Sequence, residues 1–216
     1  MKIVFLLRTL LRIIYYLQSN EKRYVNLLIQ IFKKKPKKIV EIGVYNGRRA
    51  IQMIEAAKIF NKDVEYYGFD LFEEITDKIY EDEASKFPEN FNNIKSLLEK
   101  HAKIFLYKGF TKDTLRKFSE KEIKVDFIFV DGGHAVETIE NDYFYSSKIA
   151  KDNACIIFDD FYEPQTIDLK RFGSNNLYEK LKLNKNNPKI LPFSDKYKKN
   201  EGKRVIKMFM IYNQQI

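Results

Sequence analysis

VDFIFVDGGH, residues 125–134, is a nearly all-apolar run of six that stops abruptly at an acid, two glycines and a histidine. A run of this kind suits a strand covered on both faces, as in a parallel sheet. Working outward, KIVEI at 38–42, VEYYGF at 64–69, KIFLY at 103–107 and ACIIF at 154–158 repeat the pattern. Amphipathic stretches at 21–34, 48–60 and 137–150, a polar helical region at 72–101 and a helix opening near Thr111 separate these runs. Pro36 ends the helical pattern before the first strand. Strand alternating with helix predicts an α/β fold, a Rossmann-like open sheet of about seven strands, mostly parallel with helices on both faces. Residues 190–193 and 205–212 are expected to add a C-terminal antiparallel hairpin across the polar loop at 198–202. Residues 1–35 read as an N-terminal helical extension and 36–216 as one domain, with no internal repeat.

The 216 residues include 44% hydrophobic and 32% charged side chains, and a mean hydropathy of −0.44 excludes a polytopic membrane protein. One cysteine, Cys155, lies inside an apolar run and cannot form an intramolecular disulfide, so a reducing, cytoplasmic setting is expected. The net charge of +9 is concentrated at Lys33, Lys34, Lys35, Lys37 and Lys38, where cations complement a helix C-terminus and stay solvated. Without aromatics interleaved among the cations, no nucleic-acid partner is expected. Residues 1–17 are strongly apolar, with Arg8 and Arg12 one helical turn apart on one face. Too short to span a bilayer, they suit a helix packed on the domain or on a second subunit of a homo-oligomer, or one lying on the inner face of a membrane.

Ligands of open α/β sheets bind beyond the carboxyl ends of the strands. The first strand runs out into Glu41-Ile42-Gly43-Val44-Tyr45-Asn46-Gly47, where two glycines allow close backbone approach and an acid precedes the loop. This spacing differs from the pyrophosphate-binding G-x-G-x-x-G, and Glu41 favours a cationic ligand. Asp70, ending the second strand, can accept both hydroxyls of a ribose. Asp131 and His134 after the fourth strand, with Asp159 and Asp160 after the fifth, group three carboxylates and an imidazole, and the carboxylates are hard oxygen donors suited to Mg²⁺, Mn²⁺ or Ca²⁺. Taken singly, each also has an ordinary explanation, as a helix cap, a satisfied histidine or a turn residue.

In this order, VDFIFVDGGH, Glu137, Asp142 and IIFDDFY at 156–162, together with EIGVYNG and Tyr67-Gly68-Phe69-Asp70, resemble the macrocin O-methyltransferase group of class I methyltransferases. The resemblance covers about residues 36–165, and Asp159 follows Asp131 by 28 residues, as in catechol-type metal-dependent enzymes. It implies S-adenosylmethionine as cofactor, held by Glu41, Gly43, Tyr45, Gly47, Asp70 and Asp131. Leu71, Phe72, Gly109 and Phe110 would lie by the adenine. It also implies a divalent metal, Mg²⁺ first, on Asp131, Asp159 and Asp160, with Asp131 and His134 catalytic and His134 the general base. Lys151-Asp152-Asn153 departs from the family's Pro-Gly-Gly turn, and beyond Tyr162 the likeness fades.

The expected reaction is methyl transfer to a hydroxyl, with a sugar of a glycan or glycosylated metabolite as acceptor on the strength of the resemblance. A catechol-like small molecule is the alternative acceptor. A metal-dependent oxygenase would require a two-histidine, one-carboxylate triad, and a non-catalytic adapter on the same fold is a third class.

Overall fold

The computed structural model describes residues 2–83, 86–163, 168–199 and 202–213. It shows the expected sheet with eight strands, in the order β3-β2-β1-β4-β5-β8-β6 and with β7 paired to β8. The parallel strands are β1 (Lys38–Ile42), β2 (Glu65–Asp70), β3 (Lys103–Lys108), β4 (Val125–Val130) and β5 (Ala150–Glu163). After β3 the chain crosses back to lay β4 on the other side of β1, and this reversal opens the crevice of an open sheet at the ends of β1 and β4. Phe127, Ile128 and Phe129 of β4 are fully buried, as a central strand requires.

Three details differ from the sequence reading. β5 continues past Asp159-Asp160, because β8 (Gly202–Tyr212) pairs along it beyond the end of the β4 ladder. The two acids therefore sit in a bulge between Phe158 and Phe161, where Asp160 takes a positive φ of 57°. The strand expected at 190–193 is reduced to β6 (Lys189–Ile190), and a further strand, β7 (Asp195–Lys199), forms beyond it and runs into the expected polar loop, both antiparallel to β8. Residues 200 and 201 of the polar loop lie outside the described residues.

Helices α3 (Arg48–Lys58), α5 (Phe91–Leu98), α6 (Thr111–Ser119), α7 (Val136–Ile149) and α8 (Asn175–Leu183) connect or cover the strands, and α4 (Asp77–Glu83) follows β2. At the N-terminus come α1 (Lys2–Gln18), a short 3₁₀ turn (Lys22–Tyr24) and α2 (Val25–Lys34). Tyr16, Tyr24, Leu27, Leu28 and Ile31 enter the same core cluster as Ile39, Phe127 and Ile157, so the extension shares the domain's core. Arg8 and Arg12 both pair with buried Glu55, at 2.9 and 2.7 Å, Arg12 mostly covered and Arg8 about half-exposed. No described helix is long and apolar enough to cross a membrane.

Candidate active site

At the end of β1 the chain must turn hard against β4. Gly43 has φ 89°, and a Cβ there would lie 2.0 Å from the Asp131 carbonyl oxygen, so only glycine is accommodated. Gly43 N–H donates to the Phe69 carbonyl (2.8 Å), and Asp131 N–H donates to the Ile42 carbonyl (2.8 Å), tying three strand ends together. Gly47, φ 73°, starts α3.

Beyond these ends lies a cavity of about 570 Å³. Of the residues expected to hold a cofactor, Gly43, Tyr45, Asp70, Leu71, Gly109, Phe110 and Asp131 line it, as does His134. Asp70 accepts from the N–H groups of Tyr45 (2.8 Å) and Phe72 (3.0 Å), which fix its carboxylate on the wall. Burial outweighs those bonds and raises its pKa. Glu41, Gly47 and Phe72 do not line the cavity. Glu41 is fully buried and accepts a hydrogen bond from Tyr66, with its Oε1 unpartnered. Burial, the largest influence on it, pushes its pKa well above the usual carboxylate value. Phe72 is fully buried and packs edge-on against Phe91 at 5.1 Å.

His134 is held from both sides. Its N–H donates to the Glu83 carbonyl (3.0 Å), and its own carbonyl accepts from Gly173 N–H (2.8 Å). The Glu83 carboxylate also accepts from Ala135 N–H (3.1 Å) and Thr138 Oγ1 (2.7 Å) at the start of α7. The imidazole Nε2 meets Asp160 Oδ2 at 2.9 Å. Burial disfavours its charged form, but Asp160 outweighs burial and pushes the pKa up to about 9. Asp160 accepts from Tyr162 Oη on its other oxygen (2.8 Å) and is held below the usual carboxylate range despite burial, chiefly by His134. Asp131 is driven the opposite way, first by burial and then by the charges of Asp159 and Asp160.

Ligand atoms of Asp131, His134 and Asp160 lie within 4.8 Å of one another. Asp159, expected beside Asp131 and Asp160 as a metal ligand, is turned elsewhere. Both its oxygens accept from Arg23 Nε, at 2.8 and 2.9 Å, and its Oδ1 also accepts from Asp160 N–H. The same guanidinium binds Asp195 of β7 and donates to Tyr24 Oη (2.8 Å). Arg23 and Tyr24 line the cavity with Arg48 and Arg49, which both pair with Glu21. The sequence reading missed these residues. Arg23 and Tyr24 lie in an amphipathic stretch read as one helix, Arg48 and Arg49 open the next, and their acidic partners are far away in the chain.

This strand order, with the glycine loop after β1, an acid ending β2 and an acid ending β4 around one crevice, is the architecture of the class I S-adenosylmethionine-dependent methyltransferases. Residues 40–161 match the model of a methyltransferase domain, more than half of the chain, and the chain belongs to that family. Its fold is similar to that of TomG, an O-methyltransferase of Streptomyces achromogenes involved in tomaymycin synthesis and solved with SAM. That likeness has 16% identity and a TM-score of 0.61, over 87% of this chain and 78% of that one. An O-methyltransferase of Bacillus cereus in complex with SAH is similar at 15% identity, TM-score 0.59, over 86% and 78% of the two chains. The N-methyltransferase NodS of Bradyrhizobium japonicum, solved with S-adenosyl-l-homocysteine, has 10% identity and a TM-score of 0.61 over 91% and 89%. At these identities the likeness is one of fold. No curated protein matches the sequence.

Proposed function

We propose that this chain transfers the methyl group of S-adenosylmethionine to a hydroxyl, with a sugar of a glycan or glycosylated metabolite as acceptor and His134 as the base. The observation that carries the reading is the position of His134, on the cavity wall beside Asp131 and paired with Asp160. The cofactor is read into the part of the cavity bounded by Gly43, Asp70, Leu71 and Phe110, where Asp70 retains lone pairs for ribose hydroxyls. Thr138, Asn141, Glu137 and Lys112, also on the wall, are side chains that hydrogen-bond hydroxyls, which supports a polyhydroxylated acceptor over a catechol.

In the proposed reaction the acceptor oxygen attacks the methyl carbon in line with sulfur. The C–O bond forms as the C–S bond breaks, and the sulfonium leaves as a neutral thioether. The hydroxyl proton goes to His134. With Nε2–H directed at Asp160, Nδ1 is the nitrogen that accepts, and Asp160 steadies the imidazolium that results. Whatever draws charge from Asp160 moves the imidazole toward the neutral form a base needs.

The residues suit a divalent cation. Two carboxylates and an imidazole converge, and Asp131 is raised first by burial and then by the charges of Asp159 and Asp160, which a bound cation would offset. Asp131 and Asp160 would hold it, leaving His134 as the base, and Asp159 would support Asp160 through its backbone N–H. A bound Mg²⁺ would supply Lewis acidity to the acceptor hydroxyl.

Calorimetry with S-adenosylhomocysteine tests the reading, followed by a screen of acceptors with labelled methyl donor. The thioether should bind the wild-type chain and His134→Ala with similar affinity. Turnover on the acceptor should fall by about 10²–10⁴-fold in the variant, the usual worth of a general base. A chain that does not bind the thioether at all is not a methyltransferase of this kind.

A further inference from the structure

The outward face of α1 is a stripe of large apolar side chains left exposed among the described residues. Ile3, Leu7, Leu10, Ile14 and Leu17 follow one another at steps of four, three, four and three residues. This is the a/d spacing of a helix that packs along a second helix. All five are exposed, Ile3 by 71% and Leu7 by 55%, and Val4 and Leu11 widen the stripe on one side. The helix contains no acidic residue.

The opposite face fixes this orientation. Arg8 and Arg12 are engaged with Glu55, and Tyr16, fully buried, donates from its hydroxyl to Gln52 Oε1 at 2.6 Å. Turning the stripe inward would break these bonds and leave Glu55 buried without its cations.

We infer that α1 is a self-association surface, and that its occupant is α1 of a second copy of this chain. Two observations favour this occupant. The stripe carries seven apolar side chains, each 42% to 71% exposed, in one contiguous face of the kind a stable interface buries. A patch of that size exceeds what monomers usually leave exposed. A lipid surface is served less well, because a helix lying in a bilayer interface presents its cations to the headgroups. The two arginines of α1 are instead directed at Glu55. Pairing the same face on both copies closes as a two-fold dimer.

Sedimentation of the full chain across micromolar concentrations tests this without reference to catalysis. The wild type should sediment at twice the chain mass. Leu7→Glu/Ile14→Glu, which sets like charges against each other in the seam, should sediment as a monomer that still unfolds cooperatively, with a midpoint that no longer depends on protein concentration and with unchanged S-adenosylhomocysteine affinity. A wild type that stays monomeric overturns the inference, and that measurement stands even if the variant fails to fold. A folded variant that stays dimeric also overturns it, since the interface would then lie elsewhere. So does a monomeric wild type that pellets with phosphatidylserine vesicles, since the occupant would then be lipid.

Discussion

Asp142 is fully buried on α7, where its Oδ2 has no hydrogen-bond partner. Burial raises its pKa from 3.8 to about 7, the charge of Glu83 adds to the rise, and hydrogen bonds from Thr111 and Asn141 oppose it. The folded protein therefore binds this proton more tightly than the unfolded chain. The resulting stability is fully present below the unfolded value of 3.8 and is lost as pH rises through about 7. Asn keeps the shape without the charge, so Asp142→Asn should match the wild type near pH 4 and exceed it at pH 8 by about 2–4 kcal/mol. Urea unfolding at both pH values measures the difference. Parallel curves for the two proteins would show that Asp142 does not titrate in this window.

At the level of elements, what could be read from the sequence depended on how local its cause was. The strand at 38–42 and the strand at 125–130 are short apolar runs bounded by turn residues, and both form at those positions. Gly43 was legible because a glycine after a strand announces a backbone conformation. Two substitutions separate that conformational demand from simple crowding. Gly43→Ala meets backbone at 2.0 Å with φ 89° and should cost at least ~3 kcal/mol. Gly132→Ala meets only an Ile42 methyl at 3.1 Å and should cost about 1 kcal/mol. Thermal unfolding of the pair decides it, and equal losses would mean that Gly43 is conserved space and not a required turn. The bulge at Asp159-Asp160 was not legible, because it arises from pairing with β8, whose residues lie more than 40 positions further on. The strand expected at 190–193 stops short for a similarly distant reason, since Phe193 exchanges hydrogen bonds with the Asn26 side chain, 167 positions away.

Across the whole molecule, Arg23 joins parts of the chain that no local pattern connects. It ties the N-terminal segment to Asp159 in the middle of the sequence and to Asp195 near its end, at separations of 136 and 172 residues. Burial disfavours the charged guanidinium, but Asp159 and the groups around it keep it firmly protonated. Residues 2–35 are thus bound to the cavity end of the sheet by a charge as well as by the shared core, which gives them a part in shaping the site. The energetics of such a group are asymmetric, since a buried pair gains little over an apolar replacement while one broken partner leaves a bare charge. Arg23→Met should therefore lower the unfolding free energy by about 3–5 kcal/mol. Adding Asp159→Asn and Asp195→Asn should restore most of that loss, because no unpaired carboxylate then remains. Urea titrations of the single and triple variants distinguish the two cases. If the triple variant is no more stable than the single one, Arg23 acts through packing, and the ionic link between the ends of the chain contributes nothing of its own.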